Sequence, residues 1–193
     1  EGRVTVDGVT RDLPSPFVVL ATQNPVGSAG TQNLPSSQLD RFLMKLSMGY
    51  PDRVSQVNIL KDRQGSDPLT TVEPVLDRET LETVIKVVEK THVSDPIYEY
   101  IAALAEVTRT HPLALLGVSP RGALALCRAA KAKAFTEGRD YVLPEDVQAV
   151  AGYVLAHRLI LSSKARLNDR TAEDLLTEIL ETVPVPRLLE RRG

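Results

Sequence analysis

Apolar residues recur every three or four positions through the second half of the chain, which is the spacing of helices with one buried face. Two of these stripes are formed by Leu81, Val84, Ile85 and Val88 and by Ile97, Ile101, Leu104 and Thr108. Capping residues or prolines stand where each helix is expected to begin. These starts are Asp77, Ser94 to Pro96, Ser119-Pro120, Pro144 and Thr171. The pattern therefore predicts a wholly helical region from about residue 76 onward.

Short apolar runs separated by turn residues characterise the first part of the chain. Asp7-Gly8 between two short extended pieces predicts a hairpin over residues 3–13. The run 17–21 predicts a buried strand ending at Thr22, and 42–48 predicts a second strand. Two strands cannot supply the neighbours that a parallel sheet needs, so residues 17–21 are expected to expose unpaired edges unless something else covers them.

Helices are also expected in the first part, a short one at 37–41 and a longer one at 52–64, where Pro51 and Asp52 favour a helix start. Residues 65–75 are rich in turn-forming residues and read as a linker. The domain organisation predicted from these patterns is an α/β part, a linker, an all-α helical bundle and a tail with a short helix. The boundaries are 1–64, 65–75, 76–162 and 163–193.

Composition narrows the function classes further. The chain has 193 residues, 42% of them hydrophobic and 25% charged, which is typical of a globular protein. A net charge of −2, an aromatic content of 4% and the lack of Trp argue against a nucleic-acid partner. A single cysteine excludes an internal disulfide, and no apolar run reaches the roughly 20 residues of a membrane span. We therefore expect a cytoplasmic protein without a membrane span.

Asn24 is the first candidate for chemistry. Pro25 ends the preceding run, so the Asn24 amide is expected at the carboxyl end of a buried strand, the sheet edge where ligands bind in α/β folds. An amide there can orient an attacking water in phosphoryl transfer. The alternative is an amide that caps its own loop.

Two arginines are the other candidates. Arg41, in Leu39-Asp40-Arg41-Phe42, is expected to face outward with Asp40, and its planar guanidinium suits phosphate oxygens. Arg121 is expected in the first turn of a helix, where a cation opposes the helix dipole unless an anion lies nearby. Arg53 is the reserve candidate for the role of Arg41. The alternative in each case is a surface ion pair that contributes little.

Several motifs in this order resemble the MoxR family of AAA+ ATPases over about residues 1–162. They are VTVDG at 4–8, ATQNP at 21–25, GT at 30–31, LP at 34–35, QLDRF at 38–42, SPR at 119–121, GRDYVLPEDV at 138–147 and AHRLIL at 156–161. The resemblance implies the second half of an AAA+ αβα sandwich followed by a helical lid. It implies that Asn24 is the sensor-1 residue, Arg41 an arginine finger acting on the neighbouring subunit, and Arg121 the sensor-2 residue.

The resemblance also implies function and assembly. MoxR-like proteins are thought of as chaperones that hydrolyse ATP with Mg²⁺ and mature partner proteins, often with a von Willebrand A-domain partner. The trans role of Arg41 implies a homo-oligomeric ring, expected to be a hexamer. The sequence departs from the family in its loop, where Ser28-Ala29 and Ser36-Ser37 replace the usual acidic residues.

The motifs that bind the phosphates and the magnesium ion of a nucleotide are absent from these 193 residues. There is no G-x-x-x-x-G-K-[ST] motif for phosphates, and no apolar run ending in paired acids precedes Phe17. The spacings of His92, His111 and His157 fit no metal motif. We therefore expect the chain to be the carboxyl-terminal part of a longer ATPase and to be inactive alone. The rival hypotheses are a non-enzymatic helical interaction module and a DNA-remodelling or magnesium-chelatase-like AAA+ relative.

Overall fold

The computed structural model describes residues 2–23, 34–63 and 67–187. In chain order the elements are β1 (Arg3–Val6), β2 (Val9–Asp12), α1 (Ser36–Leu39), α2 (Arg53–Asp62), α3 (Arg78–Glu89), α4 (Asp95–Thr110), β3 (Ala114–Leu116), α5 (Pro120–Thr136), α6 (Pro144–Leu155), β4 (Ile160–Leu161), α7 (Ser163–Leu167) and α8 (Ala172–Thr182). Short 3₁₀ helices lie at Pro68–Thr71 and Ala156–Arg158.

The chain forms two compact units. One contains Leu46–Ile85 with the residues up to Val19, and the other contains Leu20–Lys45 with the residues from Lys86 onward. The domain boundaries expected from composition stay a prediction.

The first unit contains the predicted hairpin. Strands β1 and β2 pair antiparallel, with Arg3 opposite Asp12 and Val6 opposite Val9. The connecting residues Asp7 and Gly8 have φ angles of 51° and 76°, the left-handed conformation that a two-residue hairpin turn requires. The hairpin prediction is confirmed.

The two strands predicted at 17–22 and 42–48 are not formed in the structure. Most of their apolar side chains are exposed, with Leu20 at 92% and Met48 at 95%, whereas Phe42 and Met44 are half-buried and Met44 packs against the hydrophobic core. A strand is stabilised by hydrogen bonds and side-chain contacts from neighbouring strands, and among the described residues β1 and β2 pair only with each other. The expectation that 17–21 lies buried is therefore wrong for the chain by itself, whereas the expected exposure of its apolar faces is observed.

The helix starts predicted from capping residues are confirmed. The Asp52 carboxylate accepts from the Ser55 N–H at 2.7 Å, and the Asp77 carboxylate accepts from the Thr80 N–H at 2.7 Å. Ser119 caps α5 in the same way. At α8 the cap is reciprocal, because Thr171 and Asp174 each accept from the other's backbone N–H.

The second unit buries its core among α4, α5, α6 and α8. The stripe predicted on α4 is confirmed, since Ile97, Ile101, Leu104 and Thr108 are all buried. The largest fully buried apolar side chains are Ile97, Leu104, Val118, Leu126, Val147, Val154, Leu155, Leu175, Leu176 and Ile179. Thr108 is satisfied inside this core, because its hydroxyl donates to the Ala105 carbonyl and accepts from the Val118 N–H.

Two backbone pairings close the bundle. His92 forms a parallel bridge with Tyr141, which joins the start of α4 to the α5–α6 connection. Strands β3 and β4 pair antiparallel, which ties the segment before α5 to the segment after α6. Sequence patterns missed β3, β4 and α7, which have three, two and five residues.

Gly117 and Gly152 offer a matched test of the packing. A Cβ on Gly117 would lie 2.6 Å from the backbone N and Cα of Arg109, whereas a Cβ on Gly152 would meet nothing within 4 Å. We expect Gly117→Ala to lower the free energy of unfolding by about 1–3 kcal/mol. Gly152→Ala, in the interior of α6, should raise it by about 0.5–1 kcal/mol. Urea denaturation measures both changes, and equal effects would contradict the close backbone contact at Gly117.

Candidate functional site

The structure places two of the three predicted site residues in the same unit. Arg41 follows α1 and Arg121 is the second residue of α5, and both side chains are exposed. Arg53, the reserve candidate, is the first residue of α2 in the other unit. Asn24 lies outside the described residues.

A buried arginine lies beside Arg41 in space. The Arg158 side chain is only 1% exposed, and its Nε donates to the Asp40 Oδ1 at 3.1 Å. The Asp40 side chain is 29% exposed. Asp40 therefore does not face outward beside Arg41, as the sequence suggested, because its carboxylate compensates a guanidinium charge removed from water.

The same guanidinium also binds the backbone on both sides of Arg41. Its Nη2 donates to the Asp40 carbonyl at 3.0 Å and to the Phe42 carbonyl, and its Nη1 donates to the Leu43 carbonyl at 3.2 Å. The Lys45 N–H donates to the Tyr153 carbonyl at 2.9 Å. The backbone of residues 40–45 is thus held against the end of α6 while the Arg41 side chain stays exposed.

Ser119 connects this arrangement to α5. Its hydroxyl lies 3.1 and 3.2 Å from the two Asp40 carboxylate oxygens and also accepts from the Gly122 N–H at 3.2 Å. Gly122 lies against Arg158, because a Cβ there would be 2.8 Å from the Arg158 Cδ. We call Asp40, Ser119, Gly122 and Arg158 the Arg158 cluster.

Two cationic side chains near the Arg158 cluster, those of Arg41 and Arg121, are not used in its internal contacts. Among the described residues, no carboxylate forms an ion pair with Arg41 or Arg121. The first turn of α5, which contains Arg121, has no acidic residue. Burial lowers the pKa of Arg158, the Asp40 carboxylate opposes that shift, and the Arg121 charge lowers this pKa further. This region therefore carries unpaired positive charge at a helix N-terminus, a setting that favours a polyanion.

His157 lies beside the Arg158 cluster. Its Nε2 accepts from the Arg158 Nη1 at 2.9 Å and is 3.3 Å from the Phe42 carbonyl oxygen. Burial lowers the pKa of His157, and the neighbouring Arg158 charge lowers it further. A neutral imidazole is therefore favoured here, because protonation would place two cations in contact.

Sequence reasoning missed Asp40, Ser119 and Arg158 as a connected group. The signal was the pair His157-Arg158 within a stretch, 154–161, whose other residues are apolar, together with an acid in the LDRF motif. A buried arginine requires acceptors. The tertiary fold determines which acceptors surround Arg158, and Asp40 lies 118 residues away from it in the chain.

Three further features of the described residues bear on possible chemistry. Cys127 is half-buried against the core, and burial raises the pKa of its thiol. Among the described residues, no cluster of three or more His, Cys, Asp or Glu side chains could hold a metal ion. No helix in the described part of the chain has both the length and the apolar character needed to cross a membrane.

Comparison with known families defines the class of protein. Residues 1–44 match the model of the ATPase family associated with various cellular activities (AAA), and residues 106–179 match the AAA lid domain. A crystal structure described as an ATPase from Cytophaga hutchinsonii superposes with a TM-score of 0.87 at 34% identity, covering 96% of this chain and 59% of that one. The predicted fold class, part of an AAA+ α/β core followed by a helical lid, is confirmed.

Individual relatives narrow the class. The protein YeaC of Bacillus subtilis is 46% identical over 96% of this chain and 58% of its own length. Chaperone MoxR1 of Mycobacterium tuberculosis is 33% identical over 97% of this chain and 52% of its own length. The chain belongs to the MoxR-type AAA+ ATPases. It spans a little over half the length of these curated relatives.

The lowered pKa of His157 predicts a pH dependence of stability. The unfolded chain takes up the proton near the ordinary pKa of 6.5, whereas the folded chain does so only at lower pH. The stabilisation is therefore complete above that pKa and is lost as the pH falls below it. We expect the stability advantage of wild type over His157→Gln to shrink between about pH 7.5 and about pH 5. Urea denaturation across this range measures the difference, and a constant difference would contradict the neutral, half-buried imidazole.

Proposed function

We propose that this chain supplies the sensor and arginine-finger half of an ATP-hydrolysing MoxR-type AAA+ ATPase. The motifs that bind the phosphates and the magnesium ion are not among its 193 residues. The chain by itself should therefore not hydrolyse ATP. The observation that supports the proposal most directly is the environment of Arg41. Its backbone is bonded on both sides by a buried guanidinium, while its own guanidinium is exposed and has no described ion-pair partner.

Arg41 has the properties that charge stabilisation in phosphoryl transfer requires. Its guanidinium remains protonated near neutral pH and presents planar donors that match phosphate oxygens. Holding its backbone reduces the conformational freedom that is lost when a side chain engages a phosphate. In our proposal Arg41 reaches the nucleotide of the neighbouring subunit and stabilises the negative charge that develops on the transferred phosphoryl group.

Arg121 and Asn24 complete the proposed set. Arg121 binds phosphate oxygens from the first turn of α5, where the helix dipole and the lack of acidic side chains favour an anion. Asn24 orients the attacking water through its side-chain amide.

Magnesium belongs to another part of the site in this proposal. When bound, the ion neutralises charge on the β- and γ-phosphates. The described residues offer no carboxylate cluster to hold it. Asp40, the acid next to Arg41, is bonded by Arg158 and Ser119. In this proposal the Asp40 carboxylate therefore helps to hold the segment that carries Arg41 and does not bind magnesium.

Head-to-tail subunit contacts can place a finger in the neighbour's site, and such contacts form a ring when the rotation between subunits closes. We propose a cytoplasmic homo-oligomeric ring, a hexamer in its simplest form, which couples ATP hydrolysis to the maturation or remodelling of partner proteins. The name of Chaperone MoxR1 supports the chaperone role. A protein with a von Willebrand A domain is the partner class that we would test first.

Replacing Arg41 tests the finger. In the longest reading frame that contains this chain, we expect Arg41→Ala to retain nucleotide binding and to lower kcat for ATP hydrolysis by roughly 10³ or more, because charge stabilisation is lost in the transition state. Phosphate release and titration with a fluorescent ATP analogue measure the two quantities. Arg78→Ala, which removes an exposed arginine paired with Glu82, should leave both unchanged. Unchanged hydrolysis in Arg41→Ala together with a loss in Arg53→Ala would transfer the finger role to Arg53.

Mixing subunits tests whether Arg41 acts in trans. Asn24→Ala impairs a subunit's own pocket, whereas Arg41→Ala should impair only the pocket next to it. We expect each variant alone to be inactive and a one-to-one mixture to recover about a quarter of the wild-type rate, since some interfaces then combine an intact pocket with an intact finger. A mixture no more active than its components would contradict the action in trans. Arg41 and Asn24 would then act in the site of the same subunit, or at least one of them would not act in the site.

A further inference from the structure

We infer that Arg158 is the positioning residue for Arg41: its buried guanidinium fixes the backbone on both sides of Arg41 to the lid through Asp40 and Ser119. This inference rests on the proposed function, because it assigns Arg158 a role in the reaction through Arg41. It adds a residue that does not touch the nucleotide.

The contacts of Arg158 converge on a single segment. Four of its donor contacts reach the Asp40 carboxylate and the carbonyl oxygens of Asp40, Phe42 and Leu43. The Val154 carbonyl, one turn earlier in the chain, accepts a further bond. Because a guanidinium carries five N–H donors in one plane, these bonds restrict the orientation of the residue 40–43 backbone as well as its position.

The other side of the Arg158 cluster lies at the start of α5. Ser119 caps α5 and binds the Asp40 carboxylate with the same hydroxyl. Gly122, in the first turn of α5, leaves only enough room for the Arg158 stem, because a Cβ there would be 2.8 Å from the Arg158 Cδ and 2.6 Å from the Val118 Cγ1. These contacts therefore connect the segment that carries Arg41 to the start of α5, the helix that carries Arg121.

Lysine at position 158 separates charge from geometry. An ammonium group keeps the positive charge near Asp40, but it is a compact donor that cannot hold the carbonyl oxygens of residues 40, 42 and 43 in the same geometry. If Arg158 acts by positioning, Arg158→Lys should loosen Arg41 while leaving the lid core in place.

The lid contains a matched control. Arg139 donates to both carboxylate oxygens of buried Asp146, one of them at 2.7 Å, and this pair lies at the α5–α6 connection. Arg139→Lys makes the same chemical change at a second arginine–aspartate pair of the lid, and none of its described hydrogen bonds reaches the Arg41 segment.

The experiment compares both lysine variants in the longest reading frame that contains this chain. For Arg158→Lys we expect kcat for ATP hydrolysis to fall about 10-fold or more and KM to change by less than about threefold, because the lost contacts act on transition-state charge. Arg139→Lys should keep kcat within about twofold at a similar loss of thermal stability. A normal kcat in Arg158→Lys, or an equal fall in both variants, would overturn the inference.

A double variant tests whether Arg158 acts through Arg41. On an Arg41→Ala background, adding Arg158→Lys should lower kcat by less than about twofold, since the group that it positions is already gone. Arg158→Lys subunits mixed with Asn24→Ala subunits should recover activity as Arg41→Ala subunits do. Full additivity, or no recovery in the mixture, would show a role other than positioning the finger.

Two further results keep the outcomes distinct. If Arg158→Lys does not fold, Asp40→Asn carries the test, because it preserves the side-chain volume and removes the charge that holds the Arg158 Nε; an unchanged kcat in Asp40→Asn would then overturn the inference. If Arg41→Ala retains full turnover, the proposed finger itself is wrong. Lost turnover in Arg41→Ala with normal turnover in Arg158→Lys contradicts the positioning role alone.

Discussion

The candidate site depends on a positive charge buried at the end of α6. Arg158 is almost fully removed from solvent, and a buried guanidinium is tolerated only where acceptors surround it. The acceptors come from residues 40–43, which lie far earlier in the chain, and Asp40 in turn accepts from the hydroxyl that caps α5. Three sequence-distant segments are thereby fixed together by polar contacts.

This arrangement separates the charges that hold the structure from the charges available to a ligand. Arg158 and Arg139 are paired with Asp40 and Asp146 and contribute to the internal geometry of the lid. Arg41 follows the paired Asp40 in sequence and Arg121 lies two residues after Ser119, yet their own guanidinium groups are exposed. Because the backbone on both sides of Arg41 is already restrained, only its side chain would have to be ordered on binding an anion.

Much of the helical lid could be predicted from sequence, because its information is local. Capping residues such as Asp77 and Ser119 mark helix starts, and the α4 stripe from Ile97 to Thr108 is fully buried as its spacing indicates. The strands expected at 17–22 and 42–48 did not form, because a strand depends on neighbours that periodicity within one segment does not supply. Arg41 and Arg121 could be selected from motifs, whereas the partnership of Arg158 with Asp40 could not, since 118 residues separate them.

Gly122 shows how closely the Arg158 stem packs against the start of α5. A Cβ at position 122 would lie 2.6 Å from the Val118 Cγ1 and 2.8 Å from the Arg158 Cδ, so any side chain there would require both neighbours to move. A glycine inside a helix is otherwise unfavourable, and at position 122 the space taken by Val118 and Arg158 accounts for it. A larger residue at 122 should therefore fit only where positions 118 and 158 both carry smaller side chains.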